Sequence, residues 1–267
     1  MKAMILAAGL GTRLRPLTDT RPKALVEIGN RTLLEIVLTR LRTFGITEAI
    51  INVHHFADMV EQYLKSKNNF NMRIEISRED DQLLDTGGGL KKAAWFFQEN
   101  PSQADSSRDH SVVADKPFLL HNVDVISTAD LAAMLEFHTA HQALATLAVR
   151  SRDSGRQLLF NDQLQLSGRR VKGHPPLATR HSPFPASTTL SAFEPLAFSG
   201  IHIISPRLLP LLTETGPFSI IDSYLRLASQ GEKIVAFRHD NSYWRDLGKP
   251  ADLAQAARDL QQNVPPS

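Results

Sequence analysis

The chain has 267 residues, of which 42% are hydrophobic, enough for one large or two small domains with a sizeable core. Its 30 basic side chains stand against 28 acidic ones, a formal charge of +2, which excludes a global field for nucleic acid or an anionic membrane and leaves only local positive potential. With no cysteine there is neither a disulfide framework nor a thiolate metal site, and no apolar run approaches membrane-spanning length; a soluble, cytoplasmic protein is expected.

In chain order, residues 3–7 read as a short buried strand running into a turn built on Gly9 and Gly11. A helix is expected at 33–44, with Thr32 and Glu35 at capping-box spacing and Gly45 where a helix-ending glycine belongs. Strands at 49–53, 73–76, 117–120 and 145–149 then alternate with helices at 57–65, 90–98 and 129–141, which argues a mainly parallel sheet covered by helices. Residues 100–116 are polar and read as a surface excursion. The stretch 173–195 carries five prolines and is read as a lid or an insertion. A strand at 196–204, a helix at 218–230, a strand at 233–237 and a proline-started helix at 250–262 complete the pattern, with a frayed tail at 263–267.

The chemistry concentrates near the amino end. Gly9 and Gly11 leave the first turn without side chains that would hold a phosphate away, so backbone N–H groups can face an anion. Arg13 offers a planar fork matched to phosphate oxygens, whereas Lys23 is a mobile point charge on a backbone stiffened by Pro22. Two cations of different character suggest two phosphoryl groups, as in a nucleoside triphosphate. A dinucleotide fingerprint would need glycine where Leu14 stands, and no Gly-Lys-Ser/Thr run exists for a Walker A loop, so hydride transfer and ATPase chemistry lose ground. Asp124 follows an apolar strand and Asn122, placing it at a strand's carboxyl end, where open α/β sheets bind ligands.

Gly9-Leu-Gly-Thr-Arg13, Pro16-Leu-Thr18 and Pro22-Lys23, followed in order by Asp85-Thr-Gly-Gly-Gly89, Asn122-Val-Asp124, Phe198-Ser-Gly200 and Trp244-Arg-Asp246-Leu-Gly248, resemble the motif series of the sugar-1-phosphate nucleotidylyltransferases. The short single-domain members, acting on N-acetylmuramate, mannose or heptose 1-phosphates, are the most similar in length. The resemblance implies one Rossmann-like α/β domain over 1–262 with a central mixed sheet, nucleotide on a part of about 1–125 and sugar phosphate on a part of about 126–262. It implies transfer of a nucleotidyl group from an NTP to a sugar 1-phosphate, with pyrophosphate released. A phosphocholine cytidylyltransferase and a non-catalytic regulatory subunit are the alternatives. A homo-oligomer stays open; nucleic acid and membrane are not expected partners.

By the same resemblance, Arg13, Lys23 and Asp124 are the catalytic residues, and Asp124 with Asp246 holds Mg²⁺, to which two hard oxygen ligands plus phosphate and water are suited. Leu6, Ala7, Ala8, Gly9, Gly11, Thr12 and Arg13 face the triphosphate, while Glu79, Asp85, Thr86, Gly87 and Gly88 hold base and ribose. Asn122, Arg156, Ser199 and Gly200 form the acceptor side. Val123 stands where many relatives have glycine, and the glycine triplet departs from a more mixed segment, so base identity is not fixed. His54 and His55 point oppositely on an extended segment, and His138 with His141 lacks further metal ligands.

Overall fold

The computed structural model describes residues 1–98, 116–175, 177–178 and 193–262. Strand β1 (Ala3–Leu6) is flanked in parallel by β4 (Glu48–Val53) and β6 (Phe118–Asn122), and β5 (Arg73–Arg78) extends the parallel array from β4. Beyond β6 the pairing turns antiparallel. The long β12 (Glu194–Ile204) pairs through its end with β6 and β8 (Ala145–Arg150), and through its start with β9 (Arg156–Phe160). β10 (Leu166–Val171) and β11 (Leu177–Ala178) follow β9, and β13 (Ile234–Arg238) runs parallel to β8, closing a sheet of ten strands.

The apolar runs explain this sheet. Ala3 and Ile5 enter one core and Met4 the other, so β1 is buried on both faces and must carry helices on both. One layer is α1 (Leu33–Thr43), α2 (Ala57–Ser66), α4 (Leu131–Ala140) and α6 (Pro250–Gln261), which contribute Leu38, Val60, Met134 and Leu253 to the core. The other is α3 (Asp85–Lys92) and α5 (Ile220–Ser229), with Leu90 and the fully buried Tyr224. Thr32 caps α1 by accepting from Glu35 N at 3.1 Å, Gly45 takes φ +75° just beyond it, and Pro250 opens α6. The mixed, helix-flanked α/β domain expected from the sequence is therefore present. Among the described residues no helix is long and apolar enough to cross a membrane.

Two expectations need correction. The helix placed at 90–98 starts at Asp85, runs through the glycine triplet and gives way to a 3-10 turn at Ala94–Phe96, because packing outweighs the poor helix propensity of glycine. The strand placed at 196–204 begins at Glu194 and includes Pro195. Two ribbons escape a periodicity reading because they are so short: β2 (Glu27–Ile28) with β3 (Arg31–Thr32), and β7 (Val125–Ser127) with β14 (Trp244–Asp246). The excursion at 100–116, most of the stretch 173–195 and the tail 263–267 lie outside the described residues.

Candidate active site

A cleft of about 360 Å³ opens at the carboxyl ends of β1 and β6, lined by Leu6, Ala7, Ala8, Gly9, Lys23, Asn52, Leu83, Asp85, Thr86, Asn122, Val123, Asp124 and Pro217. This is where a parallel sheet leaves its backbone groups open to a ligand. A larger hollow of about 570 Å³ lies at the opposite strand ends, bounded by Pro117, Ala143, Ser205 and Lys233 among others. It contains none of the motif residues, so the smaller cleft is the candidate site.

The glycine loop is locked from beneath. Gly11 sits at φ +64°, and a Cβ there would come within 2.9 Å of Thr18 Cγ2 and 3.2 Å of Lys23 Cβ, while Thr18 Oγ1 donates to Gly11 O at 2.9 Å. The loop is thereby pinned to the segment that delivers Lys23. Pro22, in extended conformation, leads into the 3-10 turn Lys23–Leu25, and the Lys23 ammonium donates to Asp124 Oδ2 across the cleft floor. Lys23 is 8% exposed, so this cation is embedded rather than solvated. Thr12 and Arg13 are exposed in the 3-10 turn Thr12–Leu14 that follows the loop, and the Arg13 guanidinium packs beside Gly248.

The second aspartate arrives by strand pairing. β14 runs antiparallel to β7 with Asp246 opposite Val125, and Leu247 N donates to Asp124 O at 2.8 Å, so residues far apart in sequence share one edge of the cleft. Gly248 completes the corner: its N–H donates to Asp246 Oδ1 at 2.8 Å, and a Cβ there would lie 2.5 Å from Arg13 Nη2. Arg13, Lys23, Asp124 and Asp246 are thus gathered at one place. Among the described residues no group of three or more His, Cys, Asp or Glu converges on a metal position. Two carboxylates, Asp246 exposed and Asp124 half-buried, suit a hard cation that takes its other ligands from phosphate and water.

Behind the cleft lies a buried polar bridge. Glu79 is 1% exposed; its Oε1 accepts from Asn52 Nδ2 at 2.7 Å and its Oε2 from Leu84 N at 2.8 Å, while Asn52 Oδ1 accepts from Ala7 N at 2.7 Å. Glu79 therefore ties the end of β1 to the start of α3, and its carboxylate faces protein groups. The glycines of α3 are explained similarly. Gly87 packs against the Phe218 ring, a Cβ on Gly88 would meet Gly216 O at 2.8 Å, and one on Gly89 would meet Asn52 Nδ2 at 2.7 Å and Glu79 Oε1 at 2.8 Å. Thr86 Oγ1 accepts from Ile220 N at 3.0 Å and Gly87 N donates to Phe218 O at 2.9 Å, stitching α3 to α5. Of this group, Asp85 and Thr86 line the cleft; Gly87, Gly88 and Glu79 shape it from behind.

On the acceptor side, β12 is irregular between Phe198 and His202, with Gly200 at φ +78° and its Cα against Asn122: a Cβ would lie 2.9 Å from Asn122 Nδ2. Ser199 is 0% exposed and its hydroxyl bonds His239 Nε2 at 2.7 Å, while its carbonyl accepts from Trp244 Nε1 at 2.8 Å. Arg156 is exposed at the first position of β9, paired with Val171; neither it nor Arg152 is among the residues that line the cleft. Arg152, which the motif reading leaves out, lies instead over the Trp244 ring, 4.4 Å from its centroid. Val123 borders the cleft but is only 3% exposed, packed into the core behind it.

Burial sets the titration of the histidines beneath the cleft. His121 and His239 are pushed down to about 4 and His202 to about 3, chiefly by desolvation, so all three are neutral near pH 7. His138 is buried against Thr146 Oγ1 at 2.9 Å, and His141 bonds Phe137 O at 2.8 Å, which accounts for both without a metal.

Known proteins resemble this chain over nearly its whole length. The chain is 35% identical to the N-acetylmuramate alpha-1-phosphate uridylyltransferase of Caulobacter vibrioides, over 96% of either chain. It is 31% identical to the mannose-1-phosphate guanyltransferase of Aspergillus fumigatus, matching 95% of this chain but spanning 62% of that longer relative. Among solved structures, HddC from Yersinia pseudotuberculosis complexed with GMP-PN superposes with a TM-score of 0.70 at 20% identity, covering 97% of this chain and 99% of that one. A UDP-glucose pyrophosphorylase complexed with UDP-glucose gives 0.71 at 19%, covering 98% of each chain. The model of the nucleotidyl transferase family matches residues 2–157, the stretch that carries the glycine loop, Lys23, the α3 glycines and Asp124, and the chain belongs to that family.

Proposed function

We propose that this protein transfers a nucleotidyl group from an NTP to a sugar 1-phosphate, forming an NDP-sugar and pyrophosphate. The observation that carries the reading is the meeting of the buried Lys23–Asp124 pair with Asp246 and Arg13 at one corner of the cleft. Support also comes from what the relatives are named for: uridylyl or guanyl transfer to sugar 1-phosphates.

The acceptor phosphate is already anionic near neutral pH, so no general base has to generate the nucleophile. The barrier is electrostatic: two anions must meet in line and charge must collect on the departing pyrophosphate. The β1 loop with Gly9 and Gly11 presents backbone to the triphosphate, Arg13 receives the β- and γ-phosphates, and Lys23 steers the α-phosphate. Asp124 and Asp246 would hold Mg²⁺, which supplies neutralisation of phosphate oxygens when bound. Asp85 and Thr86 border the base and ribose, with Glu79, Gly87 and Gly88 fixing that wall. Asn122, Gly200 and Ser199 shape the acceptor wall. Residues of about 1–125 thus take the nucleotide and those of about 126–262 the acceptor, in a cytoplasmic setting where NTPs and Mg²⁺ abound and neither nucleic acid nor membrane is a partner.

A pyrophosphate-release screen of four NTPs against glucose, mannose, heptose and N-acetylmuramate 1-phosphates, with Mg²⁺ or with EDTA, tests the reading. Release that needs both substrates and the metal is expected. Absence of release from every pair overturns it.

A further inference from the structure

Arg152 is placed in a way that neither the motifs nor the family match assigns. It follows the end of β8, half-buried, with its guanidinium 4.4 Å from the Trp244 ring centroid. Among the described residues its side chain forms one hydrogen bond, Nη2 to Phe198 O at a long 3.3 Å, and its buried Nε has no partner. Its neighbour Arg150 differs: both of its terminal nitrogens are engaged, with Ser242 O at 3.3 Å and Asp240 O at 3.2 Å. A half-buried guanidinium with open donors and no salt bridge is costly unless an anion completes it.

The platform beneath it is built with care. Trp244 is held by its indole N–H on Ser199 O at 2.8 Å, and Ser199 is held by its hydroxyl on His239 at 2.7 Å, so the ring cannot easily turn away. Trp244 and Asp246 are alternate residues of β14 and lie on the same face of that strand. The charge of Asp246 acts on Arg152, and Arg13 and Asp246 both pack around Gly248. Two guanidinium groups therefore lie in the neighbourhood of Asp246.

We infer that Arg152, seated on Trp244, binds the phosphate of the acceptor sugar 1-phosphate. The inference rests on the proposed transfer reaction and names the acceptor anchor within it. In-line displacement puts the incoming oxygen and the departing pyrophosphate on opposite sides of the α-phosphorus. Arg13 at the Gly248 corner and Arg152 on the Trp244 ring supply a separate cation to each. Arg156, at the first position of β9, is exposed, whereas Arg152 is half-buried against Trp244. Ser199 and His239 are positioning residues that fix Trp244.

The test compares wild type, Arg152→Lys and Arg152→Gln. For whichever NTP and sugar 1-phosphate react, KM for the acceptor should rise about 10- to 100-fold in Arg152→Gln, the loss expected for a charge-assisted hydrogen bond, with KM for the NTP changed less than about threefold. Arg152→Lys keeps charge and stem and should fall between. In a Trp95→Phe background, Trp244 fluorescence titrated with inorganic phosphate and with mannose 1-phosphate should saturate, with the midpoint shifted at least about tenfold by Arg152→Gln. An unchanged acceptor KM, unchanged midpoints, or no saturable signal in either protein overturns the assignment, as does acceptor loss confined to Arg156→Gln. A pyrophosphate screen negative for every pair, with an Arg152-dependent phosphate titration, removes the transfer reaction and leaves the anion site standing.

Discussion

Lys23 and Asp124, 101 residues apart in sequence, are joined by a hydrogen-bonded ion pair whose side chains are 10% and 19% exposed. Asp124 follows the end of β6 and Lys23 opens a 3-10 turn packed beneath the loop after β1, so the contact serves the fold and the cleft together. An ion pair so little exposed depends on both partners, because removing one leaves the other charged and poorly solvated.

Asp124→Asn is expected to separate the two duties. The amide still accepts from Lys23 but no longer balances its charge, so stability should drop by up to about 3 kcal/mol, while kcat falls by more than about 100-fold. Denaturant melts beside pyrophosphate-release kinetics check it; full activity in a folded Asp124→Asn protein would contradict the assigned role.

Arg13→Lys should act on turnover alone. Arg13 is exposed in its 3-10 turn, so stability should change by no more than about 0.5 kcal/mol, whereas loss of the two-pronged guanidinium should lower kcat by about 100-fold. Gly248→Ala should mimic it at one remove, since the new methyl would press on Arg13 Nη2 and Asp246 Oδ1, the latter at 2.8 Å. Single-turnover measurements at saturating substrates distinguish a chemical defect from weaker binding.

Glu79→Gln should weaken the cleft wall although the residue is hidden from it. Both carboxylate oxygens of Glu79 accept, from Asn52 Nδ2 and Leu84 N, and an amide must turn its NH₂ toward one of those donors. A loss of about 1–3 kcal/mol is expected, together with a higher KM for the NTP. Gly89→Ala, which places a methyl against the same two side chains, should behave alike. Thermal melts and NTP titrations would show whether the two losses travel together.

Acid should destabilise the protein through His121, His202 and His239. Their folded pKa values, about 4, 3 and 4, lie below the unfolded value near 6.5, so the unfolded chain binds more protons as pH falls. Stability contributed by their neutral forms is complete above pH 6.5 and is lost from there toward pH 4, at up to about 1.4 kcal/mol per pH unit for each histidine. Tm should be flat from pH 8 to about 6.5 and then fall. His202→Gln, which retains a partner for Tyr224 OH, now 2.9 Å from His202 Nδ1, should flatten part of that slope. A Tm independent of pH between 6.5 and 4.5 would refute the account.

How much of this the sequence disclosed follows from the range of each interaction. Local signals carried far: the β1 run, the Thr32 cap and Pro250 are set by neighbours within a few residues, and the elements they mark lie within a residue or two of expectation. The glycine triplet misled because its cause is distant. Phe218, Gly216, Asn52 and Glu79 lie on other segments, and only their approach explains why a helix runs through three residues that would rather not be helical. Arg152 carried no signal at all. Nothing in its neighbourhood along the chain announces Trp244, which reaches it only after β14 has paired with β7 and Ser199 has fixed the indole. Arg156, a few positions on, is the residue the sequence pointed to, and it stands exposed at the start of β9.

β12 belongs to both portions of the sheet, bonded to β6 and β8 at one end and to β9 at the other. A polypeptide truncated after the first 125 residues would consequently leave β6 with a naked hydrogen-bonding margin and the β1 array with one of its flanks open to other chains. Dissecting the gene at the apparent boundary between nucleotide and acceptor portions should therefore yield sticky, self-associating fragments, whereas co-expressing the two pieces would let them reunite along that margin.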